Sequence, residues 1–155
     1  MRFRIERMRR EFLPGIWRVE EESFDEPYPR RYLAALSEWA DLFYVALVGE
    51  EVAGYAAASS EGDSLHILSI AVLPRFRRRG IGRALLSRIL EEGRAMGLKG
   101  AILEVGARNE GAKAFYKGFG FEECGVRAGY YGGREDALVL RLSFQGARDQ
   151  KPFIP

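Results

Sequence analysis

The chain holds one cysteine, one histidine, one asparagine and no threonine. A lone cysteine, Cys124, excludes a disulfide framework within the chain and fits a reducing compartment. With His66 the only imidazole and no cysteine pair, no set of metal ligands is expected. No apolar run approaches the roughly 20 residues of a membrane-spanning helix. The start, Met1-Arg2-Phe3-Arg4, is followed by charge instead of the apolar centre of a signal peptide. These absences predict a cytoplasmic protein without a membrane partner. An excess of one charge is also missing: 24 Lys and Arg face 22 Asp and Glu, a formal net charge of +2. That balance argues against a general nucleic-acid coat, because the basic character is local, at 2–10 and 75–83.

What is present is ordinary globular composition, 47% hydrophobic and 30% charged, over 155 residues. That length suits one domain with a core that needs no staples. Phe3 and Ile5 alternate with arginines as in a short strand. Phe12, Leu13, Ile16, Trp17 and Val19 recur at helical spacing within Arg10–Glu22, with Pro14 tolerable near the start. A loop over 23–29 precedes a second helix over Arg30–Trp39, and a hairpin joins Phe43–Val48 to Val52–Ser60. Leu65–Val72 reads as a strand, and Ile81–Met96 as an amphipathic helix that Gly97 ends. Ala101–Val105 is nearly continuously apolar, the pattern of a strand buried on both faces. A short helix from Asn109 or Glu110 to Tyr116 and strands near Phe121–Val126 and Ala137–Leu142 complete the chain, leaving 145–155 as a loosely attached tail.

The stretch from Ile70 to Leu86 organises the rest. A strand ends at Ala71 and Val72, a basic turn follows Pro74, and a helix starts at Ile81. The unpaired N–H groups of a first helical turn, with the helix dipole behind them, form an anion site. Gly80 and Gly82 let the backbone approach a phosphate, and Arg77, Arg78, Arg79 and Arg83 surround it with positive charge. The spacing fits neither a Walker loop nor the dinucleotide fingerprint.

Arg77-Arg78-Arg79-Gly80-Ile81-Gly82 resembles the R/Q-x-x-G-x-G/A signature of the Gcn5-related N-acetyltransferases. The element order β-α-α-β-β-β-α-β-α-β-β is similar to that family's. The likeness covers about residues 1–144 and is densest from Leu65 to Leu142, where it looks most like the ribosomal-protein-alanine type and the archaeal N-terminal acetyltransferases. It implies a single α/β domain with a mixed, mostly antiparallel seven-stranded sheet flanked by about four helices. It also implies that acetyl-CoA is held with its pyrophosphate at the turn 77–83, and that backbone N–H groups of Ile70, Ala71 and Val72 polarise the acetyl carbonyl.

Glu104 stands in the apolar strand Ala101–Val105. A buried carboxylate costs free energy unless paired, and burial raises its pKa toward the range of a base. Taken alone, the residue reads equally as a base or as a strand-end Glu satisfied by an Arg. The resemblance makes it the general base. By the same resemblance Tyr116, twelve residues on, is the acid that returns a proton to sulfur and also touches the cofactor, and Asn109 contacts the cofactor. His66 is implied as an auxiliary base, Glu26 and the pair Tyr130 and Tyr131 as substrate contacts. Each has a plainer reading: Tyr116 packing beside Phe115 and Phe119, Asn109 as a helix cap, His66 as a satisfied strand residue, the others as solvated loop residues.

The expected activity is direct transfer of acetyl to the α-amine of a protein or peptide N-terminus, ribosomal proteins among the candidates, by a monomer or weak homodimer. Alternatives are transfer to lysine, a polyamine or another small amine, a coenzyme A sensor without turnover, or an RNA-binding module using Arg75 to Arg83.

Overall fold

The computed structural model describes residues 1–129 and 135–144. The strands are β1 (Arg4–Arg7), β2 (Leu42–Val48), β3 (Glu51–Glu61), β4 (Ser64–Val72), β5 (Gly100–Gly106), β6 (Glu122–Arg127) and β7 (Ala137–Ser143). The helices are α1 (Leu13–Ser23), α2 (Arg30–Trp39), α3 (Ile81–Ala95) and α4 (Glu110–Gly118). One seven-stranded sheet runs in the order β1-β2-β3-β4-β5-β7-β6, with β4 and β5 paired parallel and β1·β2, β2·β3, β5·β7 and β6·β7 antiparallel. The chain forms two compact units. The first holds Met1–Ser59 with Ile67–Glu92, and the second Ser60–His66 with the described residues from Gly93 on.

The first unit closes on an apolar cluster that includes Phe12, Ile16 and Val19, Leu33 and Leu36 of α2, and Val45, Leu47, Val52 and Tyr55 of the hairpin. The predicted first helix begins later than expected. Arg10–Phe12 is a 3₁₀ turn, and Pro14 sits in the first turn of α1, where its missing N–H costs nothing. Gly15 is required there, because a Cβ would stand 2.6 Å from Cγ2 of Val52. Along α3, Ile81, Leu85, Leu86, Ile89 and Leu90 are all buried, each contributing about 1.5–3 kcal/mol. Leu85 lies over Gly54 of β3, where a Cβ would come within 3.3 Å of its Cδ1. That packing fixes the start of α3 beyond the end of β4.

In the second unit β5 and β7 pair along their whole length, from Gly100↔Ser143 to Gly106↔Ala137. β5 is not buried on both faces as its apolar run suggests. Ala101, Leu103 and Val105 are buried, while Ile102 and Glu104 are half-buried. The pleat turns alternate residues to opposite faces, so Ile102 and Glu104 share the more open one. β4 repeats this alternation: Leu65, Ile67 and Ala71 are buried, and His66, Leu68 and Ile70 only partly.

Candidate active site

The parallel register sets Ser64 against Gly100, Leu65 against Ala101 and His66 against Ile102. Glu104 is two residues beyond Ile102 on the same face of β5, within diagonal reach of the imidazole. Nε2 of His66 lies 2.8 Å from Oε1 of Glu104, and Nδ1 lies 2.6 Å from Oε2 of Glu61, at the end of β3. The side chain of Glu104 is 9% exposed and that of His66 19%, whereas Glu61 is 59% exposed. On the other oxygen of Glu104, Nε of the exposed Arg127 approaches to 3.6 Å. Burial pulls the pKa of His66 down, but the hydrogen bonds and negative charges of Glu104 and Glu61 outweigh it and hold the imidazole above its ordinary 6.5. A carboxylate and a titratable ring thus stand in direct contact. Both readings of Glu104 find a partner here, the titratable His66 at 2.8 Å and the arginine at 3.6 Å.

Tyr116 is 8% exposed on α4, its ring edge-on to Phe115 (centroids 5.2 Å apart) and Phe121 (5.8 Å). Asn109 caps α4: its Oδ1 accepts from the N–H of Ala112 at 3.0 Å. The plainer roles of both residues are therefore present.

In the first unit the turn has a sharper backbone than glycine alone would impose. Gly80 adopts φ +87°, and so does a non-glycine: Arg78 is at φ +64°. A side chain in the left-handed region is uncommon and collects at functional turns. Nε of Arg77 donates to the carbonyl of Val72 at 2.8 Å, fastening the turn to the end of β4. The ladder of α3 starts with Ala84 N–H bonding the Gly80 carbonyl at 3.0 Å, so the N–H groups of Ile81 and Gly82 precede it. A Cβ on Gly80 would meet nothing within 4 Å, and residues 77–80 are exposed. Open space over a basic turn that leads into a helix start fits a pyrophosphate.

Glu26 is exposed in the loop between α1 and α2. The carboxylate buried beneath that loop is Glu20, 2% exposed, which accepts from the Tyr28 N–H at 2.9 Å and from the Tyr55 hydroxyl. Tyr55 in turn lies 2.7 Å from the Ser69 hydroxyl of β4. Burial pushes the Glu20 carboxyl up against those hydrogen bonds. Glu20 falls on the apolar phase of α1 with Ile16 and Val19, a signal the sequence carries. Tyr130, Tyr131 and the tail 145–155 lie outside the described residues. No helix among the described residues is long and apolar enough to cross a membrane.

The profile of the acetyltransferase (GNAT) family matches residues 8–121. The [ribosomal protein bS18]-alanine N-acetyltransferase of Escherichia coli is 32% identical over 133 residues, 84% of this chain and 90% of that protein. Its crystal structure superposes with TM-score 0.86 at 29% identity, covering 98% and 100% of the two chains. The N-alpha-acetyltransferase of Sulfurisphaera tokodaii is 33% identical over 152 residues, 89% of this chain and 91% of that one. Arabidopsis thaliana Naa50, solved with the bisubstrate analogue CoA-Ac-MVNAL, superposes with TM-score 0.81 at 25% identity, covering 93% and 100%.

Proposed function

The chain belongs to the acetyltransferase (GNAT) family, an N-acetyltransferase with acetyl-CoA as donor, and from that premise we propose that its acceptor is the α-amine of a protein N-terminus. The observation that carries the site's part of this reading is the contact of Glu104 with His66 on one half-open sheet face. An α-ammonium has a reference pKa of about 8 against about 10.4 for lysine, so a carboxylate–imidazole pair suffices to deprotonate it near neutral pH. The relatives support the acceptor class: two are named for N-terminal or alanine acetylation, and the third was solved with an analogue joining CoA to a peptide.

Acetyl-CoA supplies an activated thioester. The turn 77–83 holds its pyrophosphate through the N–H groups at the start of α3, with Arg78, Arg79 and Arg83 adding charge and Asn109 and Tyr116 further contacts. N–H groups of Ile70, Ala71 and Val72 face the acetyl oxygen, where donors aimed at developing charge are most effective. Glu104, with His66, takes the proton of the incoming ammonium. The Tyr116 hydroxyl gives one to the departing sulfur. Glu26, Tyr130 and Tyr131 hold the peptide's first residue, and ribosomal proteins are candidate substrates. A peptide with a free N-terminus should be acetylated, and the same peptide with its α-amine formylated should not, even when it carries lysine. Equal turnover of both would move the acceptor to the lysine or small-amine class.

If the turn binds through its backbone, glycine matters more there than any one arginine. Calorimetric titration of acetyl-CoA should show binding lost in Gly82→Val and weakened only several-fold in Arg78→Ala. Normal binding by a folded Gly82→Val protein would misplace the pyrophosphate.

A further inference from the structure

We propose that Glu61 is a positioning residue for proton removal: it fixes the ring of His66 by accepting from Nδ1, so that Nε2 faces Glu104. The proposal rests on the reading of Glu104 as the base, and no motif in the sequence points to Glu61. Its geometry comes from the turn between β3 and β4. Gly62, at φ +63°, and Asp63 reverse the chain, and Glu61 reaches back to Nδ1 at 2.6 Å.

An ionised carboxylate only accepts, so Nδ1, facing the exposed Glu61, carries a hydrogen, and the neutral ring's Nε2 accepts from Glu104 once that carboxyl has taken the substrate's proton. That leaves Nε2 as the site that gains or loses a proton, 2.8 Å from Oε1 of Glu104. The arrangement is that of any imidazole whose second nitrogen is tied by a carboxylate: tautomer and orientation are set, and the charged ring is stabilised when it forms. The proton balance is simple. An N–H bond of the substrate ammonium breaks, its proton passes to the carboxylate of Glu104 and on to Nε2, and the neutral amine remains as nucleophile. The imidazolium then stands between two carboxylates and returns its proton to water before the next cycle. The second N–H proton, lost as the amide forms, replaces the one that Tyr116 gives to sulfur, so one proton leaves per amide formed. Among the described residues, the charged groups meeting this pair are Glu61 from β3, Glu104 from β5 and, on the far oxygen of Glu104, Arg127 from β6.

Because His66 is the only histidine, the imidazole ¹⁵N signals of the tag-free protein report on this ring alone. In the wild type the Nδ1–H tautomer should dominate the neutral form. In Glu61→Gln the midpoint of the His66 titration should fall and the tautomer preference weaken. The ascending limb of kcat/KM should move to lower pH with that midpoint, while plateau turnover drops roughly 10–100-fold, the range for partners that orient a reacting group from outside. Glu61→Asp, which keeps the charge, should restore most of the midpoint. An unchanged ¹⁵N titration in Glu61→Gln overturns the pairing. A shifted titration with an unmoved limb and full turnover overturns the positioning role. A fully active Glu104→Gln enzyme would instead sink the underlying reading, and the ¹⁵N result separates the two failures.

Discussion

Glu104→Gln should turn over about 10²–10⁴-fold more slowly than the wild type, with acetyl-CoA affinity near normal, because glutamine keeps the shape and cannot take a proton. On the proposed reading the affinity is spared, because the turn assigned to the pyrophosphate and the carboxylate assigned as base belong to different segments of the chain. Stability should change as well, in a pH-dependent way that burial alone does not predict. From the sequence, removing a costly buried carboxylate is expected to be neutral or stabilising. In the structure that carboxylate is paired, and it helps hold His66 above its ordinary 6.5. A raised folded-state pKa contributes stability that is fully present below about 6.5 and is lost as pH rises through the raised value. The melting temperature of Glu104→Gln should therefore fall relative to wild type on the acid side of that window and converge with it, or exceed it, on the alkaline side. Kinetics and thermal melts across pH check both parts. Near-full activity in Glu104→Gln together with abolition in His66→Ala would make the imidazole the main base.

Tyr116→Phe should lower kcat by a comparable factor, about 10²–10⁴, while leaving KM and the fold almost unchanged. The ring is buried against Phe115 and Phe121, and phenylalanine fills the same space with the same edge-on contacts. Only the hydroxyl is lost, and with it, on the proposed reading, the proton for the departing thiolate. A Tyr116 that only packs predicts turnover intact with the melting temperature equally unchanged. Initial rates separate the two, and a thermal melt checks that the variant is folded.

The sequence made the frame legible because its punctuation is strong. Pro74 and Gly80 bracket the turn, Gly97 stops α3 at φ +81°, and Asn109 caps α4, so element order and most boundaries follow from local chemistry. Periodicity failed at β5, where the apolar run Ala101–Val105 hides the alternation of a strand with one open face. The reason is that Ile102 and Glu104 are only partly exposed, and an isoleucine there looks no different from a buried one. Long-range pairing was the other blind spot. Glu61 reads as a solvated turn residue until the turn at Gly62 and Asp63 folds it onto His66, and Glu104 meets the same ring only through the parallel register of β4 and β5. Arg78 at positive φ was equally hidden, since glycine was the expected source of that geometry. Glu20 was within reach, for a glutamate in phase with Ile16 and Val19 announces a buried carboxylate.

The central claim is that the acceptor is an α-amine, and the most direct test is where the acetyl group lands. A peptide carrying both a free N-terminus and an internal lysine, incubated with enzyme and acetyl-CoA, is fragmented by tandem mass spectrometry. The account predicts a mass increase of one acetyl group confined to fragments that contain the first residue's α-nitrogen. Acetyl found only on the lysine side chain would contradict it.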